Sequence, residues 1–325
     1  MGIEHRARPG PGRRGCGRLP DPHLGQLEGS AAARFRASAL ASSRGLQEWG
    51  ARIAGDVVRP QFPRSAAYDP QWMMEHQMGP NALWLVEWLT GALALEPGMR
   101  VLDLGCGKAL SSIFLAKEFG VRVWAADLWM SPDHNWRRVC EAGVGELVCP
   151  IKAEAHALPF AQGYFDAIVS IDSYHYFGTD QMYLAYVTGM LRTGGQIGMV
   201  TPGLVQEIEG QAPAHLTQPQ SNGKIFWEDE LWGFHSPDWW GQLWRRSGKL
   251  EGVKTDLLAD GWRLWADFER ACEAAGKNHF PSDAEAIERD AGRYLGFVRA
   301  VGTKVRGECM NYYDPALGAV VGVDR

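Results

Sequence analysis

The sequence predicts an α/β fold, a doubly wound, mostly parallel sheet of seven strands with an inserted helical and aromatic cap. Three observations carry this. Short apolar segments bounded by turns alternate with helical periodicity between residues 81 and 201. Such alternation implies parallel strands joined by right-handed helical crossovers. One strand ends at an acidic residue and runs into a glycine turn that opens a helix, the arrangement by which open sheets of this kind bind ligands. Past residue 201 the alternation stops, and a stretch rich in Trp, Pro and Gln intervenes before further strand and helix signals.

The chain's 325 residues suffice for one α/β domain with insertions or for two small domains. A net charge of −5 offers no electrostatic footprint for nucleic acid, so the expected partner is a small molecule. No run approaches the ~18 apolar residues of a membrane helix, so no membrane span is expected. The cysteines (Cys16, Cys106, Cys140, Cys149, Cys272 and Cys309) are scattered, which predicts reduced thiols in a cytoplasmic protein. His134, His156, His175, His235 and His279 show no ligand spacing, so no metal site is expected. A homodimer is compatible with the sequence.

Residues 1–45 read as a disordered extension. Arg6, Arg8, Arg13, Arg14 and Arg18 are interleaved with Gly and Pro, and no apolar signal core follows. The expected domain covers residues 46–305. Its core would be 70–201 and 235–305, its cap insertions about 202–234 and 262–292, and residues 306–325 a tail. Within it, 81–95 is a helix opened by Asn81, and 96–98 a turn. Residues 100–104 form a strand, followed by a helix that ends at Gly120. Strands are then expected at 121–126, 146–151, 165–171 and 196–201, with helices at 133–142 and 181–191. Beyond the irregular stretch, 236–247 is a helix with Pro237 in its first turn, and 252–258 is the sixth strand. Residues 262–275 and 283–292 are inserted helices, and 294–301 is the last strand.

The segment Val101-Leu102-Asp103-Leu104-Gly105-Cys106-Gly107-Lys108-Ala109 carries the strongest chemical signal. Glycines here let backbone approach a ligand where a Cβ would clash. Asp127 ends the next strand, where an acid suits a ribose hydroxyl. The dinucleotide fingerprint GxGxxG is not met, because Gly105, Gly107 and Ala109 follow a GxGxA pattern.

In the order VLDLGCG, AADLW, AEAHALPF, FDAIVSIDS and MLRTGGQIGMV, over residues 78–201, the chain resembles the class I S-adenosylmethionine-dependent methyltransferases. The resemblance implies a Rossmann-like fold, S-adenosylmethionine as cofactor, and methyl transfer to a small molecule by in-line displacement. It implies that Asp103 and the backbone of Gly105, Cys106 and Gly107 hold the methionine portion. Asp127 would accept both ribose hydroxyls, and Leu128 would lie against the adenine. Glu154, beside Ala155, stands where the family often has an acid contacting the adenine amine. Asp172 would sit at the mouth of the methyl-donor site; its other reading is a cap of the following turn. Because the donor is activated, the protein mainly supplies alignment, worth about 7–11 kcal/mol in favourable cases.

His175, in Asp172-Ser173-Tyr174-His175-Tyr176-Phe177, is the candidate base, since free histidine titrates near neutrality. Orienting the acceptor and plain packing are the other two readings. Tyr174 is a further catalytic candidate. Tyr176, Trp232, His235 and Trp239 are expected to line the acceptor pocket, the aromatics suiting an apolar or cationic acceptor; alternatively they glue the cap to the sheet. Trp239, Trp240 and Trp244 cannot share one helix face. Two rival functions stay open: lipid-alkene methylation like that of cyclopropane-fatty-acid synthases, which the residues after strand four match poorly, and a non-catalytic adenosylmethionine sensor.

Overall fold

A computed structural model of the chain describes Gly55 and residues 57–317. The extension expected over residues 1–45, and the end of the expected tail, lie outside these residues.

A single 3-10 turn at Ser65–Ala67 precedes two short helices, α1 (Pro70–His76) and α2 (Ala82–Thr90). Asp69 caps α1 by accepting from the Gln71 amide at 2.9 Å, ahead of Pro70. Asn81 caps α2 through the amides of Leu83 and Trp84 at 3.0 and 3.3 Å. Then follow β1 (Arg100–Leu104), α3 (Leu110–Phe119), β2 (Arg122–Asp127), α4 (Pro132–Glu141) and β3 (Val148–Lys152). After these come β4 (Phe165–Ile171), α5 (Tyr183–Gly189) and β5 (Leu191–Leu204). The remainder is α6 (Ala214–Thr217), α7 (Pro237–Arg246), β6 (Leu250–Leu257), α8 (Gly261–Ala275), α9 (Ala284–Asp290) and β7 (Leu295–Lys304).

The seven strands form one sheet in the order β3-β2-β1-β4-β5-β7-β6. The pairs from β3 through β5 are parallel, while β7 runs antiparallel to both β5 and β6. The chain winds outward from β1 to β3, then returns to place β4 on the other side of β1. The reversal opens a crevice at the carboxyl ends of β1 and β4, where ligands bind in open α/β sheets. β1 can occupy the centre because Val101, Leu102, Asp103 and Leu104 are all buried, as a strand covered on both faces requires.

Several element boundaries depart from the sequence-based expectation; the helix expected over 81–95, for one, ends at Thr90. The helix expected over 181–191 is confined to Tyr183–Gly189, and the fifth strand begins at Leu191 instead of residue 196. The cause is a bulge: Phe165 pairs with Leu191 but Ala167 with Gln196, so Arg192 to Gly195 loop out within an extended strand. Asp166 holds the bulge, accepting from Arg192 Nε at 2.7 Å and from the Arg100 amide at 2.8 Å.

Trp240 and Trp244 are fully buried on the inner face of α7, beside Tyr174 and Leu250. Trp239 packs only partly against the same cluster, edge-on to Trp240 at 5.0 Å, and stacks on His235 at 3.6 Å. Removing a buried indole leaves a void that the surroundings fill only partly. Trp244→Ala is therefore expected to cost about 3–5 kcal/mol in urea unfolding. Trp136→Ala, at a half-exposed position, should stay within about 0.5 kcal/mol of wild type. Equal losses at both positions would contradict this account of the core.

Candidate active site

The turn after β1 is shaped by close approach. Gly105 and Gly107 have φ of 74° and 53°, in the left-handed region. A Cβ on Gly105 would sit 2.2 Å from Ser173 Oγ, so the position admits no side chain. The Gly105 and Cys106 amides donate to the Ala126 carbonyl at 2.8 and 3.1 Å, tying the turn to the end of β2. Ser170 and Ser173 donate to the Leu104 carbonyl at 2.8 and 2.9 Å, tying the end of β4 to the same point.

Asp127, the last residue of β2, accepts from the Gly107 amide through Oδ2 and from the Trp129 and Met130 amides through Oδ1, each at 2.8 Å. A carboxylate offers about four acceptor sites, so room remains for one further donor, not for both hydroxyls of a ribose. Asn135 on α4 supports the turn from behind, its amide donating to the Gly107 carbonyl at 2.9 Å. Glu154 accepts from the His156 ring and amide at 2.7 and 2.9 Å. Desolvation pushes the Glu154 pKa up, but the bonds from His156 outweigh it and the net shift is downward.

These strand ends open onto one cavity of ≈ 790 Å³. Gly105, Cys106, Gly107, Asp127, Leu128, Glu154, Ala155, Asp172, His175 and Tyr176 all line it. The same cavity is walled by the Gln77–Pro80 segment, by Lys224, Phe226 and Phe234 of the stretch after β5, and by Trp265 and Glu269 of α8.

Five of the expected site residues do not line it. Asp103 lies beneath the turn, where Oδ2 accepts from Ser111 and Ser112 at 2.6 Å each and Oδ1 is buried without a partner among the described residues. Burial raises the Asp103 pKa to about 6. Tyr174 turns into the core against Trp240 and Trp244. His235 pairs with Glu207 at 3.1 Å and stacks with Trp239 away from the cavity. Trp232 is half-exposed and meets Trp227 edge-on at 5.7 Å.

His175 reaches the cavity as a nearly buried ring. Its Nδ1 faces Thr201 Oγ1 at 2.5 Å, and Phe234 packs edge-on at 5.3 Å. Burial lowers its pKa to about 3, so the ring is neutral and a weaker base than free histidine.

Asp172 follows β4 with φ of 55°, a left-handed conformation that Asp tolerates better than most residues. Its carboxylate caps no turn and has no hydrogen-bond partner among the described residues. It reaches toward Gly79, where a Cβ would lie 2.5 Å from Oδ2. Enclosure in the protein raises its pKa well above the usual carboxylate range, and the nearby Glu269 adds to the rise. Enclosure also lifts Glu269 from 4.5 to about 7, with Asp283 raising it further and Ser282 and Lys224 opposing. Glu269 was not singled out from the sequence. A signal existed: it lies one turn from Trp265 and one turn from Cys272, an acid on the apolar flank of an amphipathic helix.

Comparison with known proteins gives a consistent outline. Residues 101–195 match the family model described as a methyltransferase domain. The chain is 30% identical over 109 residues to a sarcosine/dimethylglycine N-methyltransferase of Halorhodospira halochloris, covering 33% of this chain and 39% of that one. It is 33% identical over 108 residues to a fatty-acid O-methyltransferase of Mycolicibacterium smegmatis, covering 33% and 38% respectively. The matches thus span less than half the length of these curated relatives. Among solved structures, a Haemonchus contortus phosphoethanolamine N-methyltransferase with bound S-adenosyl-L-methionine has a TM-score of 0.55 at 14% identity. That similarity covers 78% of this chain and 60% of the other, and at such identity it speaks to the fold alone.

The raised pKa of Glu269 has a measurable consequence for stability. At about pH 3 and below, the folded and unfolded states both largely hold the proton. Between there and about pH 7 the unfolded state ionises while the folded state retains the proton, so stability falls as pH rises. Above pH 7 a penalty on the order of 3 kcal/mol persists. Glu269→Gln should therefore melt above wild type at pH 8 and level with it at pH 3. A variant less stable than wild type at pH 8 would show that Glu269 is not a strained carboxyl.

Proposed function

We propose, from the premise that residues 101–195 form a class I S-adenosylmethionine-dependent methyltransferase domain, that this protein methylates a small molecule bound between its sheet and its cap. The core would comprise residues 70–201 and 235–305, and the cap residues 202–234 and 262–292. One observation carries the reading: the glycine turn, Asp127, Glu154 and Asp172 open onto the same cavity as the aromatic and acidic residues of the cap.

The residues present fit the cofactor. Gly105 and Gly107 leave room that a Cβ would fill, and Asp127 keeps one acceptor site. The cavity wall carries six carboxylates (Asp127, Glu154, Asp172, Glu228, Glu269 and Asp283) against two lysines, Lys108 and Lys224. S-adenosylmethionine brings a sulfonium and an ammonium group, which such a lining attracts, whereas the diphosphate of a dinucleotide would be repelled. When bound, the cofactor supplies an electrophilic methyl group. The chain's own part is to hold both reactants, exclude water and align them. The backbone of residues 105–107 would take the methionine portion, Asp127 a ribose hydroxyl, and Leu128, Glu154 and Ala155 the adenine. Asp172 and Tyr176 would stand where the acceptor meets the donor. His175, as a neutral ring, would orient the acceptor.

Calorimetry is expected to show S-adenosylmethionine binding and no NAD binding. Asp127→Ala should weaken cofactor binding roughly tenfold or more, because it removes a charged acceptor and unties three amides. Asp172→Asn should weaken it less. NAD binding without adenosylmethionine binding would refute the proposal.

His175→Gln is expected to raise KM for the acceptor and leave the pH profile of turnover in place, since the ring does not titrate near neutrality. Loss of an acidic limb in the variant would instead identify His175 as the base.

A further inference from the structure

We infer that the acceptor is an organic amine bound as its ammonium ion between the Asp172 and Glu269 carboxylates, against the rings of Trp265 and Phe226. The inference rests on the methyltransferase reading above and deepens it.

Charge accounting around the cavity leads there. Lys224 is taken by Asp283, at 3.0 Å. Lys108 is taken by the carbonyls of Glu75 and Gln77, at 3.4 and 3.3 Å. No cation on the chain pairs with Asp172 or Glu269 among the described residues. Glu269 receives only a long bond from Asn278, at 3.4 Å, beside its contact with Ser282. Both carboxyls are enclosed yet keep accessible surface on the cavity. Lys224 acts on Glu269 only while bonded to Asp283, so two enclosed carboxylates face one space with no ion pair of their own; that is costly, and a cationic ligand lowers the cost.

The chemistry of the walls selects the kind of cation. Among the described residues no three His, Cys, Asp or Glu side chains are grouped as metal ligands, which disfavours a divalent ion. Trp265 lies one turn from Glu269 on α8, and Phe226 packs edge-on against it at 6.0 Å. Aromatic faces beside carboxylates suit an ammonium on an apolar body. An acceptor that also carries a carboxylate would be repelled by the same pair. The expected ligand is therefore a plain amine, not an amino acid or a fatty acid.

The pair also answers a requirement of the reaction. An ammonium nitrogen has no lone pair to attack with. One carboxylate takes the proton: the N–H bond breaks with its electron pair left on nitrogen, and an O–H bond forms on the carboxyl group. The neutral amine is then the nucleophile.

The test uses the full chain saturated with S-adenosylhomocysteine, so that binding is read without turnover. The probes are 2-phenylethylamine, tryptamine and cyclohexylamine, with 2-phenylethanol, 3-phenylpropionate, phenylalanine and magnesium chloride as comparisons. By melting shift and calorimetry, at least one amine is expected to bind roughly tenfold or more tightly than the alcohol, carboxylate and amino-acid probes. Asp172→Asn and Glu269→Gln should each reduce its affinity at least tenfold, and Glu269→Gln should do so while S-adenosylhomocysteine affinity stays unchanged. The inference is overturned if no amine binds, if the alcohol, either carboxylate-bearing probe or magnesium binds as tightly, or if amine affinity survives both substitutions. Failure to bind S-adenosylhomocysteine at all would bring down the methyltransferase reading and this inference with it. Turnover of 2-phenylethanol or 3-phenylpropionate, with none of the amines turned over, would keep the first and discard the second.

Discussion

The Asp127 carboxylate is the joint on which the donor half of the cavity depends. It binds Gly107 on one side and Trp129 and Met130 on the other, so a single side chain ties the turn after β1 to the loop after β2. Hydrogen bonds to a charged group are worth about 1.5–3 kcal/mol each. Ordering one loop residue costs about 1–2 kcal/mol. Three such bonds are thus of the size needed to hold a few glycine-containing residues in left-handed geometry, with little to spare. The Ser170 and Ser173 hydroxyls complete the joint from the β4 side by closing on Leu104. Three strand ends are fixed relative to one another by polar contacts that local sequence supplies.

The other half of the cavity is assembled differently. Its residues come from α8, from the stretch after β5 and from the segment before α2, and they meet only because the cap folds over the strand ends. Polar ties hold that closure: Lys224 to Asp283 at 3.0 Å, and Asn222 to the Ser282 carbonyl at 2.8 Å. Beneath them Trp265 packs on Phe297 of β7 at 5.3 Å and on Phe226. This packing works against the unfavourable placement of Glu269 and Asp172. A site that keeps strained acids in place of a better-packed core trades stability for binding.

That difference explains what could be read from the chain and what could not. The sheet, its switch point and the donor side depend on residues close in sequence, such as Asp103 to Lys108 and Asp127 to Trp129, so periodicity and turn chemistry disclose them. Asp103 was readable as part of the motif but not as a buried group, because its burial depends on Ser111 and Ser112 folding back from α3. The β5 boundary escaped because a bulge lets Arg192 to Gly195 sit inside an extended strand. The acceptor side was misjudged for a further reason. Aromatic clustering around residues 232–244 suggested a pocket, yet Trp240 and Trp244 fill the core while His235 and Trp239 satisfy each other. Glu269 and Gly79 come together with Asp172 only in three dimensions, and no local pattern announces it.

Charge ties the two halves together. A sulfonium donor and an ammonium acceptor repel, by about 4 kcal/mol at 4 Å in an effective dielectric of 20. A neutral cavity would meet that repulsion at the moment the reactants need to approach. Carboxylates on the cavity wall offset it, and Asp172 stands at the end of β4 with its side chain left unsatisfied by the protein. A carboxylate that then takes the acceptor's proton removes the repulsion at its source, because the amine left behind is neutral. Enclosure serves this step, since a carboxyl raised toward neutral pH holds a proton that an ordinary exposed one would release. Burial also keeps the His175 ring neutral, so it adds no further positive charge to the cavity.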